Sequence, residues 1–222
     1  PRFCWFYEDP MATEVDICNV ALARLGDEAT LTSIDPPEGS AQADHCARFY
    51  PICKDKILRE YPWSFAVKRK TPAELLTEPL GGDEHAFMLP TDCLNLLSVH
   101  IPGESRSRCG LTEYTVENFQ NARVIICREP SIWLRYVSDE VPSQAFPTDF
   151  CDALSWLLAS YLAGPMIAGS SGATMAANYM KLYEEALGKA MQADARNNNR
   201  RSHARTVFMP DTDQDGGVYG FN

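Results

Sequence analysis

The chain has 222 residues, of which 45% are hydrophobic and 23% are charged, and this is the composition of an ordinary globular protein. Its formal net charge of −10 excludes a protein that grips nucleic acid over much of its surface, because such a surface repels phosphate. No apolar run approaches the ~18 residues that a membrane span needs, which excludes a transmembrane segment and a membrane partner.

The first predicted element is an amphipathic helix over residues 11–26. Thr13 and Asp16 have the spacing of a capping box, and Gly26 supplies the left-handed position that follows a helix. The predicted core-facing side chains recur at helical spacing and are Val15, Cys18, Leu22 and Leu25. Residues 1–10 are aromatic without periodicity, and we interpret them as an N-terminal extension.

A second, longer helix is predicted to begin after Ser40, its N-cap, and to end at the Tyr-Pro-Trp-Ser-Phe-Ala segment of residues 61–66. Pro51 lies inside it and should kink or split it. The basic residues 68–70 are interpreted as the solvated end of the first part of a helical body, residues 11–70. The predicted core-facing seam of this helix is Cys46, Tyr50, Cys53 and Ile57.

Residues 85–141 are predicted to form a small antiparallel β element inserted into the helical body, after a connector rich in proline and glycine. The run from Val124 to Cys127 is typical of a strand that is covered on both faces. Three further segments alternate between apolar and polar side chains, as half-buried strands do. Their apolar positions are Leu97, Val99 and Ile101, then Tyr114 and Val116, then Ile132, Leu134 and Tyr136.

Residues 148–198 are predicted to complete the helical body with two helices. The first begins at Thr148 and is apolar nearly all round, which places it at the centre of the body or in an interface, and Gly164-Pro165 should end it. The second runs from Thr174 to about Asn197. Its predicted core-facing side chains are Met175, Tyr179, Leu182, Ala186, Ala190 and Ala193.

The predicted fold is therefore mainly α: a bundle of four main helices with a small antiparallel β insertion and an extended C-terminal arm (α+β). The arm, residues 199–222, has too many apolar side chains for a free tail, so we expect it to be ordered by docking on its own body or on a partner. The candidate interface residues in this arm are Arg200, Arg201, Arg205, Phe208, Met209, Tyr219 and Phe221.

One segment of the arm offers an alternative function. Asp211 to Gly216 matches the first half of a calcium loop, D-x-D-x-D-G, although Asn222 occupies the position of the usual bidentate glutamate. The alternative prediction is a calcium-regulated helical binding module that uses residues 211–222 as its switch. A polar, glycine-rich arm is the simpler interpretation of the same residues.

The sequence predicts no enzyme, no cofactor and no metal site. The four histidines have no metal-binding spacing, and no hydrolase, P-loop or dinucleotide-binding motif is present. An enzyme with an unrecognised site in the β insertion would have only His85 and His100 as acid–base candidates near neutral pH. The eight cysteines lack C-x-x-C spacing, and we interpret them as small buried hydrophobic residues in a reducing compartment.

Several segments resemble the head–tail adaptor family of short-tailed bacteriophages, called tail tubular protein A. They are residues 11–26, Ala47-Arg48-Phe49-Tyr50, the Arg-Glu-Tyr-Pro-Trp-Ser-Phe-Ala run at 59–66 and Leu89-Pro90-Thr91-Asp92-Cys93-Leu94. The order of helices, β insertion, two helices and arm is similar as well. The resemblance covers residues 11–198, and its motifs are structural rather than catalytic.

This resemblance implies a structural virion protein that forms a dodecameric ring between the portal and the tail nozzle. The ring would line the channel for DNA packaging, retention and ejection. The implied partners are the portal protein, the nozzle protein (tail tubular protein B) and further copies of the chain, and double-stranded DNA would pass through the lumen without specific binding. The implied location is the portal vertex and tail of the virion, and the host bacterial cytoplasm during assembly.

Overall fold

A computed structural model describes residues 12–28, 30–75, 84–103, 112–119, 121–167 and 169–206, with the backbone alone for 199–206. In these ranges the six strands form two antiparallel three-stranded sheets, one ordered β1-β6-β3 and the other β2-β5-β4. The elements are α1 (Glu14–Arg24), α2 (Ala41–Glu60), β1 (Val67–Lys70), β2 (His85–Met88), β3 (Cys93–His100), β4 (Thr115–Phe119), β5 (Ala122–Cys127), β6 (Trp133–Ser138), a 3-10 turn (Ser143–Ala145), α3 (Thr148–Met166) and α4 (Ser170–Thr206).

The prediction of a mainly helical bundle with a small β insertion is wrong, because the protein has an α+β fold with two full sheets. Strand β1 was not predicted; it lies beside β6 with Val67 opposite Val137 and Arg69 opposite Arg135. The successive basic side chains of β1 remove the apolar alternation that marks a half-buried strand. Residues 67–70 are recognised as a strand only from their pairing with β6.

The predicted start and end of α1 are confirmed. The Asp16 amide donates to Thr13 Oγ1 at 3.1 Å, and the Thr13 amide donates to Asp16 Oδ2 at 2.9 Å. Gly26 has a φ of +78°, which an L side chain rarely adopts. The buried side of the helix is turned slightly from the predicted one, since Val15 and Leu25 are only half-buried. The buried residues are Ile17, Cys18, Ala21 and Leu22.

The predicted seam of α2 is confirmed, and so is its N-cap, because the Ala43 amide donates to Ser40 Oγ at 3.2 Å. All four predicted seam residues are buried. Pro51 does not split the helix, which runs unbroken from Ala41 to Glu60 with Pro51 on its exposed side. The six cysteines in the described ranges are free thiols, as expected. Burial raises the pKa of Cys53 to about 12, so this thiol is an inert part of the core.

Helix α3 lies at the centre of the helical body, where it packs against α1, α2 and α4. Most of its nearly continuous apolar surface is therefore buried within a single copy of the chain. The helix includes Pro165 and ends at Met166, slightly beyond the predicted stop at Gly164-Pro165. None of the helices in the described part of the chain is both long and apolar enough to cross a bilayer.

Helix α4 begins before the predicted Thr174 and continues past Asn197 to Thr206. Its 37 residues span ~55 Å, whereas the 19 residues of α3 span ~28 Å. Leu182 is exposed, contrary to the prediction, and Tyr183 is buried in the core instead, where its hydroxyl donates to Glu60 Oε2 on α2 at 2.8 Å. Residues 199–206, predicted as part of an extended arm, are the last turns of this helix.

The turn between α3 and α4 requires glycine at position 172. A methyl group there would overlap the carbonyl oxygen of Ile167 and lie 3.0 Å from that of Ala163. We expect Gly172→Ala to lower the free energy of unfolding by about 2 kcal/mol, measured by urea denaturation. Gly188→Ala is the matched control, because its methyl group meets no atom within 4 Å; it should stabilise α4 by roughly 0.5–1 kcal/mol. Equal effects at both positions would contradict the close approach of the two helices.

Candidate interaction surfaces

The Tyr-Pro-Trp-Ser-Phe-Ala segment joins α2 to β1 and anchors the helical body. Trp63 is only 1% exposed, and its Nε1 donates to the carbonyl oxygen of Ile57 at 2.9 Å. Its ring meets that of Phe150 on α3 edge to face, with 5.1 Å between centroids. Phe65 also packs edge to face on Phe150, at 5.0 Å. This aromatic cluster ties the chain that enters the first sheet to the central helix.

A buried carboxylate fixes the same segment to α4. Asp194 is 6% exposed and accepts a hydrogen bond from Ser64 Oγ at 2.5 Å, and Asn198 Nδ2 donates to it at 3.2 Å. The Ser64 amide also points at both carboxylate oxygens, at 3.3 Å. The donors around Asp194 therefore come from two distant parts of the chain. Its role is to hold α4 against the junction.

A second buried carboxylate, Asp92, joins the ends of the three strands in the first sheet. It accepts hydrogen bonds from Ser138 Oγ at 2.8 Å, from Lys68 Nζ at 3.1 Å and from the Tyr136 hydroxyl at 3.1 Å. Burial alone would raise the pKa of Asp92, but the hydrogen bonds from Ser138, Lys68 and Tyr136 together lower it below its usual value. Asp92 is therefore charged in the folded protein near neutral pH.

An open groove of about 670 Å³ runs between α2 and the loops at this end of the sheet. We call it the acidic groove; its charged lining residues are Lys54, Asp55, Asp92, Asp139 and Glu140. Burial raises the pKa of Asp55, and the nearby carboxylate of Asp139 raises it further, against the opposing charges of Lys54 and Arg59. Asp139 Oδ1 is buried without a hydrogen-bond partner. The groove therefore has unsatisfied negative charge.

The opposite end of the same sheet is basic. We call it the basic patch; it consists of Arg69, Lys70, His100, Trp133 and Arg135. Arg69 and Arg135 are opposite each other on β1 and β6, so their side chains leave the sheet on the same face. His100 stacks on Trp133 with 4.0 Å between ring centroids, and the Arg69 guanidinium lies 5.5 Å from the Trp133 centroid. A shallow pocket of about 310 Å³ lies beside these residues.

The basic patch also contains a contact that resembles a nucleophile with its base. Ser98 Oγ lies 2.8 Å from His100 Nε2. Burial lowers the pKa of His100, and the positive charges of Arg135 and Arg69 lower it further. A serine nucleophile needs a histidine that can accept a proton and become positively charged, and this environment opposes that charge. The arrangement therefore favours anion binding over proton transfer. His85, the other acid–base candidate, pairs with Glu74 at 2.6 Å.

The two charged surfaces lie at opposite ends of β6. Trp133 and Arg135 begin the strand, whereas Asp139 and Glu140 follow its last residue, Ser138. The neighbouring strand β3 has the same arrangement, because its last residue, His100, is paired with Trp133 at the basic end of β6 and its first residue, Cys93, is paired with Ser138 at the acidic end. Arg135 and Asp139, the nearest members of the two surfaces along this segment, are four residue steps apart, which corresponds to roughly 13 Å along a strand. The sheet thus has a basic end and an acidic end.

Few of the sequence-predicted site residues fall where the structure describes side chains. Arg200, Arg201 and Arg205 lie in the last turns of α4, and only their backbone is described. The proposed calcium loop, residues 211–222, lies outside the described residues. Phe208, Met209, Tyr219 and Phe221 lie outside them as well. No cluster in the described ranges has enough histidine, cysteine or carboxylate groups to hold a metal ion.

Sequence reasoning interpreted the basic run at residues 68–70 as a solvated end and recognised neither charged surface. The basic run at residues 68–70 and the pair Asp139-Glu140 are visible in the sequence, but both are common patterns. Arg135 and His100 join the basic patch only through strand pairing, and Asp55 reaches the acidic groove from α2. No local spacing connects these positions.

The comparisons with known proteins add no family. No protein-family model matches the sequence, and no curated protein matches it.

Proposed function

We propose that this chain is a structural adaptor of the head–tail connector of a short-tailed bacteriophage. In this function, copies of the chain form a ring between the portal and the tail nozzle, and double-stranded DNA passes through the lumen during packaging and ejection without specific binding. The protein would act at the portal vertex and tail of the virion, after assembly in the host bacterial cytoplasm.

The observation that carries the proposal is the position of the segments that resemble the adaptor family. Trp63 anchors the junction of α2 and β1, Asp92 fastens the strand ends of the first sheet, and Tyr50 lies in the buried seam of α2. Each segment thus has a large structural role in this fold. A resemblance that rests on such residues supports a shared architecture more strongly than one that rests on exposed residues.

The distribution of charge and of buried polar groups is also consistent with an assembly protein. The buried carboxylates Asp92 and Asp194 accept hydrogen bonds that fasten elements to one another. The net charge of −10 suits a channel wall, because an acidic wall repels the DNA backbone and lets it slide.

The proposal is tested by the native mass of the protein, alone and mixed with the portal protein encoded by the same genome. We expect a ring-sized complex with the portal. A matched variant that ends at Thr206 keeps the whole of α4 but lacks residues 207–222; it should give the same circular dichroism spectrum and fail to dock. Full-length protein that stays monomeric and ignores the portal would remove the adaptor proposal. Docking of the shortened variant would remove only the role of residues 207–222.

A further inference from the structure

We infer that copies of this chain associate head to tail, with the basic patch of one copy docked in the acidic groove of the next. This inference names the contact within the proposed ring, so closure of the ring rests on the proposed function. The pairwise contact itself rests on the charges of the two surfaces. Its occupant on both sides is a second copy of the same chain.

The basic patch has positive charge that no ion pair among the described residues neutralises. Among the described residues, no ion pair involves Arg69, Lys70 or Arg135. Like charges placed opposite each other on neighbouring strands destabilise a sheet, and Arg69 faces Arg135 in this way. Arg69 and Lys70 are exposed, so a partner can reach them. A carboxylate of a partner between the two guanidinium groups would remove the repulsion and gain charge-assisted hydrogen bonds.

The acidic groove has more carboxylates than positive charges to pair with them. Lys68 Nζ lies 3.1 Å from Asp92 and 3.6 Å from Glu140, and its single charge is shared between them. Asp55 and Asp139 repel each other, and the buried Oδ1 of Asp139 has no donor. A guanidinium entering the groove offers several N–H donors in a planar fork, which is the group best suited to paired carboxylates.

A protein partner fits the basic patch better than a nucleic acid does. Nucleic-acid binding by an aromatic patch normally needs a free ring face on which a base can stack. His100 stacks on one face of Trp133, and the Arg69 guanidinium lies 5.5 Å from the centroid of the same ring. The ring is therefore already engaged by two side chains of its own chain, which leaves less of it for a base. What remains exposed is positive charge, which fits a cluster of carboxylates.

Separated complementary surfaces can join copies in two ways. In a twofold dimer the patch of each copy would meet the groove of the other, and association would stop at two copies, whereas in a head-to-tail contact each copy keeps one free basic end or one free acidic end. The ring of the proposed function requires the head-to-tail form, in which association continues from copy to copy, so a wild-type protein that stops at the dimer overturns it. Such a head-to-tail contact produces a closed ring when the rotation between copies closes, and an open filament when it does not.

Charge-reversal variants test the contact. The patch variant is Arg69→Glu with Lys70→Glu; the carboxylate introduced at position 69 faces Arg135 across the strands, which favours folding. The groove variant is Asp139→Asn with Glu140→Lys. Matched controls with the same charge changes on the exposed side of α4 are Lys181→Glu with Lys189→Glu, and Glu185→Gln with Glu184→Lys. The mass of each protein is followed by sedimentation at rising concentration and low salt, alone and with the portal.

We expect each surface variant to weaken self-association by roughly tenfold or more, while the α4 controls behave as wild type. The sharpest result is the mixture of the two variants. In it the groove of the patch variant meets the intact patch of the groove variant, and the two reversed surfaces also have opposite charges, acidic at positions 69 and 70 and basic at position 140. The mixture should therefore recover self-association that neither variant shows alone. Raising the salt concentration should weaken all of these contacts.

The outcomes separate this inference from the proposed function. Variants that assemble as wild type, on the portal or alone, overturn the head-to-tail contact even if the portal ring forms. A wild-type protein that is monomeric in both conditions overturns both proposals. Self-association that the two surface variants abolish, with no response to the portal, leaves the contact standing and removes the adaptor function. A patch variant that loses affinity for a DNA duplex but keeps its mass would assign the patch to nucleic acid and overturn the inference.

Discussion

Replacing Trp63 with alanine should lower the free energy of unfolding by about 4 kcal/mol, the largest effect that we expect of a single substitution in this chain. The side chain is almost fully buried and packs edge to face on Phe150. Its removal leaves a cavity between α2, β1 and α3, and the Ile57 carbonyl loses the donor that Trp63 Nε1 provides. Urea denaturation followed by circular dichroism measures the change.

Trp63→Phe is the matched control for this prediction. Phenylalanine keeps an aromatic ring against Phe150 but has no N–H group for the Ile57 carbonyl, so we expect a smaller loss of about 2 kcal/mol. The difference between the two variants measures ring packing. A Trp63→Ala variant with nearly wild-type stability would show that the junction does not anchor the fold, and would weaken the argument that the resembling segments have structural roles.

Replacing Asp92 with alanine should lower the free energy of unfolding by about 3 kcal/mol, because it leaves Tyr136 and Ser138 without their buried acceptor. Asp92→Asn is the milder variant: its amide oxygen still accepts a hydrogen bond, although the charge that attracts Lys68 is gone. We expect a loss of about 1–2 kcal/mol for asparagine. Denaturation curves at neutral pH compare the two variants with wild type.

The same carboxylate predicts the direction of a pH effect. The pKa of Asp92 is lower in the folded protein than its ordinary value of 3.8, so its contribution to stability is present above that ordinary value. This contribution is lost as the pH falls below about 4 and through the folded pKa. Asp92→Asn should therefore show a shallower loss of stability in acid than wild type. If the free energy of unfolding falls equally steeply with decreasing pH in both proteins, Asp92 is not held in its charged form.

These two substitutions also help to interpret the assembly experiments. Trp63 lies in the core, and Asp92 lines the acidic groove while holding the sheet together. A change at Asp92 therefore affects both stability and the groove, which is why the charge-reversal test uses Asp139 and Glu140. Loss of assembly in that variant, at unchanged stability, reports on the surface alone.

Local patterns in the sequence predicted the starts of the first two helices, the seam of α2 and the covered strand β5. Each depends on neighbours within a few residues, such as the reciprocal hydrogen bonds of Thr13 and Asp16. The α4 face was predicted less well, since Leu182 and Tyr183 both fit a helical period. Tyr183 is buried in the core formed by the other helices, and its hydroxyl partner, Glu60 on α2, is far away in the sequence. In the second sheet β4 and β5 were predicted, whereas β2 was not recognised as a separate strand because its four residues are too few for an alternation to stand out.

The sequence by itself determined the caps and turns, the apolar faces of most helices and the acidic balance of the chain, because these depend on residue type and short spacing. The tertiary structure alone decided that residues 67–70 form a strand beside β6 and that Arg69 faces Arg135. It also decided that Asp55 and Asp139 share a groove. The physical reason is that strand register and helix packing bring together residues that are distant in the chain, and a charge pattern on a surface exists only after they have met.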